Sequence, residues 1–435
     1  MKLSIERLLV GILLVIAAII VVHAPLTVWL GTTWPRWSEV IKSWKELLMA
    51  LALVLLVIEA ARRKMLNTLL GDRLMQLALV FAGIHFLMIG LFDSGLHAAG
   101  AGLLIDLRYI FYFVLVYGTL QMYPKYRTAF LKVFIGGAVV VIGFALLQLF
   151  VLPKDILAHI GYSKQTIAPY LTVDQNQQFV RINSTLRGPN PLGAYAMTVV
   201  VFIVAYAIKY WRRMKVSRRW LAMIGVLAAG WVTVTSYSRS SVIGLVVAIG
   251  VVVFVLAAGR ARRWLAVITA VVIIVSAGAL FALRGNSAAS NILLHDNPDG
   301  GSGLTVNSNV GHEQSLIDGI KSLVVQPFGA GVGSTGSASL NTNKPLIIEN
   351  EYLFVAHEVG WIGLGIFLWL FIEVMRRLWF RRTDALALGT FASGIGLAVI
   401  GLLLPVWTDD TVGIIWWGLA AVAVSGSMKG KTHGA

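Results

Sequence analysis

An all-α polytopic membrane protein is the fold class this sequence predicts, and three observations carry it. Apolar runs recur along the whole chain, each about 15 to 23 residues long, enough for one pass through a bilayer core of roughly 30 Å. Hydrophobic residues make up 58% of the 435 positions and charged ones only 13%, where a soluble domain carries roughly a quarter. Lys and Arg fall in clusters between the apolar runs: Arg62-Arg63-Lys64, Lys209 to Arg219, Arg260 to Arg263 and Arg376 to Arg382. The formal charge of +16 is therefore explained by the bias of positive loops to one side of a membrane, without a nucleic-acid partner. There are no cysteines, which excludes a disulfide scaffold and thiolate chemistry.

The runs predict about twelve helices, near 8–22, 44–59, 74–92, 102–121, 130–152, 190–208, 220–235, 241–258, 265–282, 350–372, 385–404 and 411–427. The run Leu8–Val22 continues into His23-Ala24-Pro25 with no small-residue cleavage site, so it reads as a span and not as a signal peptide. Counting from a cytoplasmic N-terminus puts the basic clusters, and with them most of the 36 Lys and Arg residues, on the inside. Both termini are then expected in the cytoplasm, and the longer non-basic links outside. Trp29, Trp34, Trp37 and Trp44 mark the first outer boundary as an aromatic belt does.

The whole chain, 1–435, reads as one integral membrane domain. Its outer links are 153–189, the short turn 236–240 and a long extracytoplasmic loop over 283–349. The first is expected to hold a short helix, Lys154–Ile160, ended by Gly161. The long loop is expected to hold an amphipathic one. There Leu316, Ile317, Ile320, Leu323 and Val324 recur at helical spacing, Asn307 to Asn309 offer a cap, and Pro327 is the stop. The stretch Asn297–Asn309 reads as a flexible Gly/Ser/Asn segment.

The residues able to do chemistry collect at the outer ends of the spans. In Arg187-Gly188-Pro189-Asn190-Pro191 the prolines suit a helix start. Its free N–H groups, with Arg187 beside them, would attract an anion. A plain helix cap with an interfacial Arg anchor is the favoured reading of that stretch taken alone. The link Thr235-Ser236-Tyr237-Ser238-Arg239-Ser240 sets one Arg among hydroxyls. Its planar fork suits a pyrophosphate, and contact with a lipid phosphate is the plainer alternative. Arg284 stands at the outer end of the ninth span. Arg108 lies inside the fourth span, where a charge faces the bundle interior or a wet cavity. Glu349 and Glu351 flank Asn350 where the tenth span begins, and Glu358 follows. One of these carboxylates is placed to act as a general base, or all are helix-start acids. His312 is a candidate phosphate or sugar ligand in the long loop. No His, Asp or Glu set has metal-ligand spacing.

In this order the stretches resemble the O-antigen ligase and O-antigen polymerase superfamily of bacterial membrane glycosyltransferases, over roughly residues 180–370. Asn190-Pro191-Leu192-Gly193-Ala194-Tyr195 is similar to the family's Asn-Pro-Asn-x-x-Gly helix start. Thr235-Ser236-Tyr237-Ser238-Arg239 is similar to its Thr-x-Ser-Arg link. Pro327-Phe328-Gly329-Ala330-Gly331-Val332-Gly333 is similar to its Pro-x-x-Gly-x-Gly loop. Glu349-Asn350-Glu351-Tyr352-Leu353 with Glu358-x-Gly360 is similar to its His-Asn-x-x-Leu…Glu-x-Gly segment. The resemblance implies a membrane glycosyltransferase of the C-type fold. It implies a donor glycan on a polyprenyl pyrophosphate and an acceptor glycan or glycolipid, with reaction at the outer face of the cytoplasmic membrane. Arg187, Arg239 and Arg284 would hold the pyrophosphate, assisted by Asn190, His312, Asn350, Glu351 and Glu358, and Glu349 would be the catalytic base. No cofactor and no metal are implied. Glu349 replaces the ligases' His, and His312 stands where a loop Arg is usual, which favours a polymerase or another surface-polysaccharide transferase over a lipopolysaccharide ligase. The competing reading is a transporter or flippase of lipid-linked saccharide.

The orientation is directly testable. Single cysteines placed at Gly300 and Arg213 are expected to react with an impermeant maleimide on intact cells at position 300 and not at 213. Labelling at 213 alone would invert the orientation.

Overall fold

The computed structural model describes residues 4–173, 176–257, 259, 316–317, 319–321, 323–342 and 345–425. Its helices, in order, are α1 (Ile5–Ile19), α2 (His23–Thr33), α3 (Ser38–Lys42), α4 (Trp44–Arg62), α5 (Leu66–Leu70), α6 (Arg73–Leu91), α7 (Leu96–Met122) and α8 (Arg127–Phe150). They continue as α9 (Pro189–Tyr210), α10 (Val216–Thr235), α11 (Arg239–Leu256), α12 (Glu351–Phe380), α13 (Ala385–Gly401) and α14 (Asp410–Val424), with a single helical turn, Gly336–Ser339, before α12. Among the described residues, seven helical segments are long and apolar enough to cross a bilayer: Ile5–Thr33, Arg73–Leu91, Leu96–Met122, Pro124–Phe150, Pro189–Arg213, Arg239–Leu256 and Glu351–Phe380. α13 and α14 are apolar but shorter. α4 carries Lys45, Glu46, Glu59 and Arg62 within its 19 residues. Every span expected from the sequence coincides with a helix except 265–282, which lies outside the described residues.

The bundle has two unlike ends. At the basic end, ion pairs staple neighbouring helices, Arg377 to Asp72 at 2.9 Å and Arg127 to Asp384 at 2.7 Å, and Arg63 pairs with Glu59 within the last turn of α4 at 3.0 Å. The other end holds the starts of α9, α11, α12 and α14. α14 is buried along its whole length, with Trp416 and Trp417 packed edge to face, Trp417 also edge to face on Phe113 of α7, and Trp407 beside both. Helices meet closely where a side chain is absent. A Cβ on Gly244 of α11 would lie 2.9 Å from the Gly396 carbonyl oxygen of α13.

Two long helices are broken, for different reasons. Pro25 has no N–H to continue the ladder, and the chain passes through a 3-10 turn, Ile20–Val22, before α2. The hydroxyl of Thr411 donates to the Ile20 carbonyl at that turn (3.1 Å). In α12 the break is at Gly360 (φ 69°). There the loop after Pro327 is inserted. The Trp361 N–H donates to the Pro327 carbonyl (3.1 Å), and the His357 carbonyl accepts from Ala330 (2.6 Å), so one helical bond is replaced by two from the loop. Gly331 takes the Glu358 carbonyl at 3.2 Å. Gly329, Gly331 and Gly333 all have positive φ, the conformation that lets the loop run this close.

Two features qualify the expected architecture. The link 153–189 contains an antiparallel hairpin, β1 (Tyr170–Val173) and β2 (Asn176–Ile182), paired Tyr170 with Ile182 and Thr172 with Val180. Thr172, Val173, Val180 and Ile182 are β-branched, which favours strands, so the described residues are helical with one small sheet. The expected helix in the same link is a short 3-10 turn, Ile156–Ile160, closed by Gly161 in the left-handed region. The described residues between 316 and 325 are helical and stop before Pro327, as expected. Leu323 is buried. A Cβ on Gly319 would be 3.1 Å from Leu353, while Ile320 and Val324 are exposed.

Gly360→Ala is expected to destabilise the protein by about 2 kcal/mol or more, because its Cβ would sit 2.6 Å from the Phe328 backbone at a left-handed φ. Gly365→Ala, one turn on and with nothing within 4 Å, is expected to be neutral or to stabilise by up to about 1 kcal/mol. Thermal unfolding of both in one detergent measures the difference.

Candidate functional site

Arg181, on β2, joins two stretches that are far apart in the chain. Its Nη2 donates to Asn190 Oδ1 (2.6 Å) and its Nε to the Ser236 carbonyl (3.1 Å). The start of α9 thus lies against the α10–α11 link. The fit is close: a Cβ on Gly193 would be 2.6 Å from Ser236 Oγ and 2.7 Å from Ser241 Oγ. The hydroxyls are linked in turn, Ser241 to Ser238 (2.9 Å) and Ser238 to Ser240 (3.1 Å). Tyr237 adopts φ 51°, which lets three residues turn the chain between two helices. Phe179 of the hairpin meets Tyr237 edge to face at 6.0 Å.

Arg187 and Arg239 are both exposed on this seam. The backbone leading to Arg187 is anchored. The Ser184 N–H donates to Gln148 Oε1 (2.8 Å), its hydroxyl to the Val141 carbonyl (2.7 Å), and Asn183 Nδ2 to the Ala168 carbonyl (2.7 Å). Arg187 faces Tyr162 and Asp409. Burial pushes the Tyr162 phenol up, and the Arg187 charge opposes that. Burial also raises the Asp409 carboxyl, against the bond it accepts from the Val412 N–H and the nearby Arg187 charge.

The start of α12 is organised by Asn350. Its Oδ1 accepts from the Tyr352 and Leu353 N–H groups, both at 3.0 Å, and its Nδ2 donates to the Leu402 carbonyl at 2.8 Å. Glu351 is fully buried, with Oε2 accepting from the Trp407 N–H at 2.9 Å. Asn350 and Glu351 therefore hold α12 to the link between α13 and α14. Glu349, one residue earlier, is half-buried. Glu358 lies just before the α12 break, buried, with Oε1 accepting from the Thr335 N–H (3.3 Å). Its carboxyl meets that of Asp106 on α7, and His85 Nε2 is 3.6 Å from Asp106 Oδ2. Both Asp106 oxygens, Glu358 Oε2 and Glu351 Oε1 have no hydrogen-bond partner among the described residues.

A second buried cluster adjoins it. Asp410, at the first turn of α14, takes His23 Nε2 at 2.9 Å and Lys45 Nζ at 3.2 Å, and Arg108 bonds both to it and to the Thr408 carbonyl. Lys45 also reaches Glu46 at 3.0 Å. The Trp44 indole donates to His23 Nδ1 (3.0 Å), so the Nε2 of His23 carries the proton given to Asp410. Two cations, Lys45 and Arg108, thus face two carboxylates, Glu46 and Asp410. Arg108 does point into the bundle, as a charge within a span must.

No known family profile and no curated protein matches this chain. The seam, the Asn350 cap and the loop in the α12 break bring the singled-out motifs together in two pairs. Arg284 and His312 lie outside the described residues. No group of three or more His, Asp or Glu residues able to hold a metal occurs among the described residues. Sequence reasoning missed Arg181, which sits in a hairpin that was not foreseen. It also missed the Lys45–His23–Asp410 cluster. The legible signals were a Lys-Glu pair opening one apolar run and an Asp-Asp pair opening another.

Asp410→Asn leaves Lys45 and Arg108 buried with one carboxylate between them. It is expected to cost about 3–5 kcal/mol. Glu39→Gln breaks an exposed pair with Lys42 and is expected to cost under about 1 kcal/mol. Equal effects in reversible unfolding from mixed micelles would show that the buried cluster does not carry this load.

Proposed function

We propose that this chain is a membrane glycosyltransferase with about twelve membrane passes. It moves a glycan from a polyprenyl-pyrophosphate donor to an acceptor glycan, as an O-antigen or surface-polysaccharide polymerase or ligase does. The observation that carries the reading is the Arg181 bridge, since it sets the Arg187 and Arg239 segments on one hydroxyl-lined seam. In this mechanism Arg187 and Arg239 bind the donor diphosphate. The acceptor oxygen attacks the anomeric carbon, the bond from that carbon to the phosphate oxygen breaks, and the two guanidinium groups stabilise the charge on the leaving diphosphate. Arg suits this role because its fork pairs with two phosphate oxygens. Glu349, half-buried beside the rigid Asn350 cap, takes the acceptor proton. Asn190 and Arg181 position the seam, and Glu351 and Glu358 position α12. Reaction on the face opposite the basic clusters follows from the positive-inside rule.

A second reading, a transporter or flippase of lipid-linked saccharide, is favoured by the ionisable groups packed between helices: His23, Lys45, Arg108, Asp106, Glu358 and Asp410. Intramembrane charges of this kind are characteristic of ion-coupled transport.

Reconstituted vesicles with a defined lipid-linked oligosaccharide separate the two. The transferase reading expects release of polyprenyl pyrophosphate with growth of the acceptor. It expects loss of that activity in Arg187→Ala and Arg239→Ala, with partial recovery on Lys substitution. Glu349→Gln is expected to keep donor affinity while single-turnover transfer falls by roughly 10²–10⁴-fold. Donor moved across the bilayer with its pyrophosphate bond intact, and no transfer, would favour the transporter.

A further inference from the structure

An open groove of about 880 Å³ lies at the basic end of the bundle, between the last turns of α9 and the first half of α10. It is remote from the seam, and the proposed transferase makes no use of it. Its wall is apolar, with Ile208, Met223 and Val226, and its rim is cationic, with Lys209, Arg212 and Arg213. Two observations set these cations apart from the other basic clusters. Elsewhere at this end Arg63, Arg127, Arg376 and Arg377 are each paired with a carboxylate. No Asp or Glu occurs anywhere between Asp174 and Asp296, and among the described residues Lys209, Arg212 and Arg213 have no carboxylate partner. The rim also carries interfacial aromatics. The Arg219 guanidinium lies over the Trp211 ring at 5.4 Å, and its Nε donates to the Trp211 carbonyl at 3.0 Å. Along α10 the residues Trp220, Leu221, Ile224 and Leu227 are exposed, so this flank faces lipid.

We propose that the α9–α10 groove holds one anionic phospholipid, its headgroup phosphate among Lys209, Arg212 and Arg213 and an acyl chain along Ile208, Met223 and Val226. The charge argument selects the occupant. A zwitterionic lipid brings its own cation to the rim, whereas an anionic headgroup supplies the negative charge that this part of the chain lacks. Each cation close to a membrane phosphate strengthens binding appreciably, and a pocket between helices adds apolar contact that a flat basic surface does not.

Native mass spectrometry of the full-length protein, titrated with phosphatidylglycerol or phosphatidylcholine of the same chain length, tests this. One phosphatidylglycerol is expected to bind about 30-fold more tightly than phosphatidylcholine. Arg212→Ala/Arg213→Ala is expected to lower that affinity by about 30-fold. Arg7→Ala/Lys132→Ala removes two exposed cations from other helices and is expected to change it by less than about 3-fold. Val226→Trp, which fills the groove at constant charge, is expected to displace the lipid as well. Equal binding of the two lipids would overturn the proposal. So would an equal loss in the Arg7/Lys132 variant, which would mean diffuse surface charge, or full binding by Val226→Trp, which would place the headgroup outside the groove.

Discussion

Insertion of the 327–336 loop into the break at Gly360 is the constraint on which the functional end of this protein depends. A helix opened within a bilayer leaves polar backbone groups that no lipid can satisfy. Here the loop supplies both missing partners, the Pro327 carbonyl for the Trp361 N–H and the Ala330 N–H for the His357 carbonyl. The same loop runs on to Gly333, whose backbone would lie 2.5 Å from a Cβ on Gly102 of α7, and to Thr335, which holds Glu358. One irregular segment thereby sets the direction of α12, the height of α7 and the position of a buried carboxylate.

The break between α1 and α2 solves a related problem. Pro25 ends the ladder, and the turn brings His23 to Asp410 while Thr411 takes up the Ile20 carbonyl. Buried ions are costly unless matched. Two cations against two carboxylates, with a neutral His23 oriented by Trp44, meet that condition. Because the partners come from α2, α4, α7 and α14, the cluster locks four helices into one arrangement. Trp407, Trp416 and Trp417 pack against one another, and α14 is buried along its whole length.

The seam between α9 and the α10–α11 link stands on this frame. Gly193 allows backbone and hydroxyls to approach, Arg181 ties the two segments, and Ser184 and Asn183 fix the chain that delivers Arg187. α13 connects the seam to the start of α12, since it packs closely on α11 through Gly244 and Gly396 and receives Asn350 at Leu402. The cationic segments and the Glu349 segment therefore stand on a shared support.

The sequence by itself determined the helical membrane class, the position of every described helix expected from an apolar run, and the distinction between a basic end and an end rich in Gly, Ser and Arg. Those properties are local: hydrophobic length, proline, glycine and charge clustering act over one or two turns. It also singled out Asn350 as part of a helix start, because a cap is a contact between near neighbours. What only the tertiary structure decided is which motifs meet. Arg181 with Asn190 and Ser236, the loop with Gly360, and Asp410 with Lys45 and Arg108 are contacts between residues 9 to 365 positions apart. Nothing in the spacing of either partner encodes the other, because such pairs are set by the packing of whole helices. The burial of Glu351 and Glu358 belongs to the same class. A carboxylate at a helix start reads as exposed until the elements that cover it, here the α13–α14 link and the inserted loop, are in place.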